Sequence, residues 1–210
     1  MTPVEQLVEH ARTMARRARR PGSDAWQHGS LHDVVLAHGR TFEPAPLPED
    51  VYPALPGHAA RAAAILADQY AWTYVEGLAL LPDMRTVIEH AWCATFTGQV
   101  VDPNLSGDIA AAYLGVAFTM NFRRTTLAHR AGAILISDPA GNPAPHPEIL
   151  QHGLAPDAIL AIGKPYDHAG ATRNRLHWPQ GPAQPGAGSE TPADAPRDGV
   201  HARDRLASAA

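Results

Sequence analysis

The chain has 210 residues, enough for one ordinary core, and its 20 prolines and 17 glycines signal stretches that stay outside that core. Net charge is −4, and beyond the N-terminal segment the lysines and arginines are scattered, so no continuous basic stripe invites a nucleic-acid backbone. The single cysteine, Cys93, excludes an internal disulfide framework and a multi-thiolate zinc site and fits a reducing, cytoplasmic compartment; no apolar run approaches the roughly 18 to 20 residues needed to cross a bilayer, so no membrane partner is expected.

Thr2 and Glu5 make a capping-box pattern with Pro3 at the first helical position, and Val4, Leu7, Val8, Ala11, Met14 and Ala15 follow helical spacing. Residues 1–22 therefore read as an amphipathic helix, with Arg16, Arg17, Arg19 and Arg20 suiting the C-terminal end of the dipole. That arginine cluster reads as a solvated face, not a membrane anchor or a secretory signal. Residues 23–56 read as a helix and a strap. The amphipathic stretch Leu31–Ala37 carries His32 and is flanked by His28 and His38, all three expected to be solvated or locally hydrogen-bonded. Thr41–Asp50 has alternating prolines that forbid helix and favour extended backbone.

From Gly57 to about Gln69 the composition is Ala-rich and predicts a small, tightly packed helix. Trp72–Leu81 reads as a strand, Pro82-Asp83 as a turn, Val87–Thr95 as a second strand and Val100-Val101 as part of a third. The second strand carries Ile88 and Trp92 on one face and Ala91 and Cys93 on the other, so it is expected to be internal. Downstream, Asp108–Phe118 begins helix-like and ends β-like, Thr119–Arg130 is a helix candidate, and Ala133–Ser137 a short strand candidate. Pro147–His152 and Pro156–Ala161 allow helical turns, and His146, His152 and His168 lack ligand spacing. The core is thus assigned to 57–168, and 169–210 is expected to be a disordered tail, too polar to offset its ordering entropy.

The chemistry centres on the second and third strands. Phe96-Thr97-Gly98 fits a three-residue hairpin loop with a left-handed last residue, which sets Thr95 opposite Gln99 and Trp92 opposite Asp102. His90 then lies on the same face, one diagonal step from Asp102; a two-residue loop would send the pair to opposite faces. An imidazole oriented by a carboxylate is two thirds of a catalytic triad. Cys93 is an odd offset from His90 and faces away, so it reads as a small buried apolar residue.

The segments Tyr74-Val-Glu-Gly77, His90-Ala-Trp92 and Val101-Asp-Pro103, with Tyr113-Leu-Gly115 as a weaker fourth, resemble the transglutaminase-like branch of the papain-like fold. More closely, the chain looks like a group of small bacterial and phage proteins that share the Pro-rich strap, the Tyr-Val-Glu-Gly strand and this hairpin, over about Leu31 to Gly163. The resemblance implies an α+β fold, with a small antiparallel sheet and packed helices. It also implies a nucleophilic thiol at a helix start, where the dipole lowers its pKa. The corresponding stretch, Pro56–Arg61, has His58 and Ala59 where that thiol would stand.

The expected function is therefore that of a nucleophile-lacking relative binding a peptide, an amide-bearing small molecule or a protein partner in the inherited cleft, without a cofactor. His58, Glu76 and Trp92 are the expected binding residues, and Trp92 is also expected to pack in the core. The alternatives are a hydrolase or acyl-transfer enzyme in which His90 and Asp102 work with a substitute nucleophile or with a metal held by His58, His90 and Asp102, and a phage- or plasmid-type accessory protein in which the His/Asp pair is structural.

Overall fold

The capping box at the N-terminus forms as its sequence pattern requires: Thr2 N–H donates to Glu5 Oε2 at 2.6 Å and Glu5 N–H to Thr2 Oγ1 at 3.2 Å, opening helix α1 (Pro3–Ala18). In this computed structural model the described residues are 1–18, 25–55, 57–105, 109–128, 132–136 and 147–166. The expected tail at 169–210 lies outside them, as do Arg19, Arg20, His146, His168 and Ser137. Leu7, Val8, Ala11 and Ala15 form the buried stripe of α1. Helix α2 (Leu31–His38) is capped by Ser30, whose Oγ accepts from Asp33 N–H while the Asp33 carboxylate accepts from Gly29 N–H at 3.0 Å.

Next come strand β1 (Arg40–Phe42), helix α3 (Ala59–Tyr70), and strands β2 (Thr73–Leu80), β3 (Val87–Ala94), β4 (Val100–Val101) and β5 (Ala112–Phe118). Helices α4 (Met120–Ala128) and α5 (Pro147–His152) and a 3-10 turn at Pro156–Ala158 follow. The strands form one antiparallel sheet in the order β1-β5-β2-β3-β4, so the protein is α+β and β3 is internal, as its two apolar faces imply.

Two expectations are corrected. The start of the strap is a strand: Thr41 and Phe42 pair with Leu114 and Tyr113, because Arg40-Thr-Phe42 precedes the first proline and keeps every ladder donor. Residues 132–136 are not a strand, because their N–H groups turn onto a buried carboxylate instead of a ladder.

The sheet curls until its edges meet. Glu43, just past β1, donates its N–H to Gly98 O at 3.1 Å and accepts from Val100 N–H at 2.9 Å, joining the β1 edge to the β4 edge. Phe42 and Trp92 stand three strands apart, about 14 Å in a flat sheet, yet their ring centroids are 5.7 Å apart. The concave face holds Phe42, Val75, Ala79, Trp92, Val100, Tyr113 and Ala117, with Leu160 and Ile162 packed against them. The convex face, with Tyr74, Leu78, Cys93, Leu114 and Phe118, shares one larger core with α1, α2 and α3. That core includes Leu7, Val34 and Val35, so it begins in the first helix, not at residue 57. All the described elements belong to the compact unit Met1–His168. Among the described residues no helix is long and apolar enough to cross a membrane.

Candidate functional site

The hairpin between β3 and β4 has the three-residue loop. Thr95 N–H donates to Gln99 O, Gly98 takes φ +86°, and Cys93 pairs with Val101, so Trp92 stands opposite Asp102. His90 and Asp102 consequently meet on the concave face, with Nε2 and Oδ2 2.7 Å apart. A carboxylate only accepts, so the Nε2 proton lies between the two and the ring is held as a donor. His90 is 4 % exposed and Asp102 5 %.

A third member joins them. Tyr113 Oη donates to Asp102 Oδ2 at 2.9 Å, and burial together with the Asp102 charge pushes its phenol well above the usual range. The other oxygen, Oδ1, accepts from Asn104 and Leu105 N–H groups at 3.0 and 3.3 Å, an Asx turn that fixes the carboxylate to its own backbone. Asp102 therefore accepts four hydrogen bonds, while His90 Nδ1 has no hydrogen-bond partner among the described residues.

Small residues make room for this arrangement. Gly77 pairs with His90 on one side and Gly115 on the other. A Cβ on Gly115 would stand 2.6 Å from Trp92 Cη2, and one on Gly77 2.2 Å from Leu114 O. Trp92 is fully buried, wedged between Phe42 and Tyr113, and stacks loosely on His90 with centroids 6.3 Å apart. Its Nε1 and both side-chain polar atoms of Asn104 are buried without hydrogen-bond partners among the described residues.

Glu76, an expected binding residue, is not part of this site. It alternates with Gly77 along β2, so it faces the convex side, fully buried in mid-strand. Its carboxylate accepts from Tyr74 Oη at 2.5 Å and from the successive N–H groups of Ile134, Leu135 and Ile136 at 2.7, 2.5 and 2.9 Å. Burial pushes the carboxyl upward and these four donors only partly offset it. Glu76 is a fastener for residues 134–136, not a ligand of the cleft.

His58 does not join the pair either. It occupies the exposed N-cap position of α3 and makes no side-chain cap bond, and among the described residues no three His, Cys, Asp or Glu side chains are grouped to hold a metal. The set His58, His90 and Asp102 is therefore not assembled: Asp102 is already saturated by protein donors. Cys93 lies on the convex face, its Sγ donating to Ala63 O at 3.0 Å, and burial pushes the thiol up to about 12. The histidines around α2 are also not solvated. His28 and His32 are buried and His38 half-buried, because α2 is enclosed by α1 and the sheet while His28 N–H is bonded to Leu150 O.

Sequence reasoning missed the role of Tyr113, since β5 reaches β2 only through the fold. Its sole signal was the Tyr113-Leu-Gly115 segment. Comparison of the chain with protein-family models, with curated proteins and with solved structures gives no match. The resemblance to transglutaminase-like proteins thus rests on the motif residues themselves, and each now has a local physical role: Glu76 as fastener, Gly77 and Gly115 as spacers, and His90, Asp102 and Tyr113 as the polar cluster.

Proposed function

We propose that the chain is a nucleophile-lacking protein of transglutaminase- or papain-like type that binds a peptide, an amide-bearing ligand or a protein partner beside His90. The observation that carries this reading is the asymmetry of the imidazole. Nε2 is committed to a saturated Asp102, whereas Nδ1 is left to an incoming group. Such a ring is oriented for a ligand hydrogen bond in the same way that a triad histidine is oriented for a nucleophile. No thiol stands near it: the one cysteine is on the other face and stays protonated at neutral pH. The scattered basic residues favour a peptide or protein over nucleic acid, and a single reduced thiol suits the cytoplasm.

The test is a pair of measurements on the full chain. Carboxamide-bearing peptides and small ester probes are expected to show no turnover above buffer, while the peptides shift the His90 imidazole resonances saturably, an effect lost in His90→Phe. Turnover abolished by His90→Ala would overturn the non-catalytic reading. Absence of any His90 shift with carboxamide peptides would overturn the binding site.

A further inference from the structure

A cavity of about 120 Å³ lies away from His90, between the start of β2, the end of β5 and the first turn of α4. Its walls include Trp72, Tyr74, Phe118 and Leu160, with Met120 at the rim, 42 % exposed. Among the described residues Arg123 is its only charged lining group, and Arg123 is 3 % exposed.

The guanidinium has donors to spare. Nη1 donates to Ala64 O at 3.1 Å and Nη2 to Asp68 Oδ1, which ties α4 to α3. A guanidinium carries five N–H groups, and the remaining ones, including that on Nε, meet no acceptor among the described residues. Nor is its charge balanced. Asp68 Oδ1 also accepts from Arg124 Nε and Nη2, at 3.0 and 2.7 Å, so two cations share one carboxylate and the cluster is left with one net positive charge. A largely buried cation, lying over the Tyr74 ring at 5.8 Å and with unused planar donors at the wall of a cavity, suits an anion of matching shape. The aromatic wall is preset, because Trp72 stacks on Tyr70 with centroids 4.4 Å apart and planes 9° apart.

Volume limits the rest of the ligand. An apolar cavity of about 150 Å³ takes up benzene, so this smaller one, of about 120 Å³, holds at most a single ring or a short branched chain. We propose that the cavity binds a small monocarboxylate with an aromatic or branched apolar body, the carboxylate on Arg123 and the body against Trp72, Tyr74 and Phe118. This site is independent of the reading given to His90, which is not among the residues that line the cavity.

Benzoate and its neutral isostere benzamide, titrated into the full chain by calorimetry and by the Trp72 indole resonance, provide the test. Benzoate is expected to bind one to one and about tenfold more tightly than benzamide, the difference that one charge-assisted contact makes. Arg123→Lys keeps the charge but loses the planar fork and is expected to weaken benzoate about tenfold. Met120→Trp fills the cavity from its exposed rim, leaves the Arg123 bonds intact, and is expected to abolish binding even if Arg123→Lys fails to fold. Equal affinity for benzoate and benzamide, binding that survives Met120→Trp, or no saturation by about 10 mM benzoate, which corresponds to about 0.3 kcal/mol per heavy atom, overturns the proposal.

Discussion

Replacing Asp102 by Asn tests whether this carboxylate holds His90 in one tautomer. Asp102 Oδ1 accepts the two turn N–H groups and Oδ2 accepts His90 Nε2 and Tyr113 Oη. In Asp102→Asn the amide oxygen keeps the turn, so the NH2 group must face His90 and Tyr113. The tyrosine hydroxyl rotates to accept, and His90 accepts only if its proton moves from Nε2 to Nδ1. The two buried charge-assisted bonds thereby become neutral ones, from about 1.5–3 to about 0.5–1.5 kcal/mol each, a loss of about 2 kcal/mol, to which the two part-buried turn bonds, now made to a neutral oxygen, add less. Asp102→Ala is worse, because it strands two buried side-chain donors and both turn N–H groups, and is expected to cost about 4–5 kcal/mol. Urea denaturation at pH 7 gives the stabilities, and long-range ¹H–¹⁵N spectra of the imidazole give the tautomers. A wild-type proton on Nδ1, an unchanged tautomer in Asp102→Asn, or an Asn variant no more stable than the Ala variant would refute the reasoning.

Glu76→Gln removes one of two acceptor oxygens facing four donors and is expected to cost about 3–5 kcal/mol, with faster hydrogen exchange at the amides of Ile134, Leu135 and Ile136; a loss under about 1 kcal/mol would show that these bonds do not fasten the segment. Burial, with a smaller contribution from neighbouring His38, lowers His28 from 6.5 to about 4. The unfolded chain therefore binds a proton at this residue first as pH falls below about 6.5, and His28 alone is expected to remove at most about 3 kcal/mol of stability by pH 4, a part of the acid loss that disappears in His28→Leu. Cys93, with its thiol pushed up to about 12, is expected to resist iodoacetamide at pH 8 in the folded protein and react at once in urea, as mass spectrometry would report.

Local chemistry was legible in the sequence wherever one short segment contains all its own constraints. The capping box at Thr2 and Glu5 formed as read, because both partners lie within one helical turn. So did the hairpin: a left-handed Gly98 sets the loop length, the loop length sets the register, and period-two alternation then places His90 with Asp102 and turns Cys93 away. The tertiary structure decided everything that depends on segments distant in sequence. Glu76 was expected to be a binding residue of the cleft, but it faces the other side of the sheet, which is covered by residues 134–136, 58 to 60 positions away. Tyr113 reaches Asp102 only because the sheet curls and brings β5 over the hairpin. His28, His32 and His38 carry polar side chains on an amphipathic segment, yet they are enclosed because α1 and α5 pack where solvent was expected. Periodicity and turn chemistry fix which face a side chain takes. What covers that face is set by packing between distant elements, and it is this packing that made Asp102 a saturated anchor and left Nδ1 of His90 as the open atom of the site.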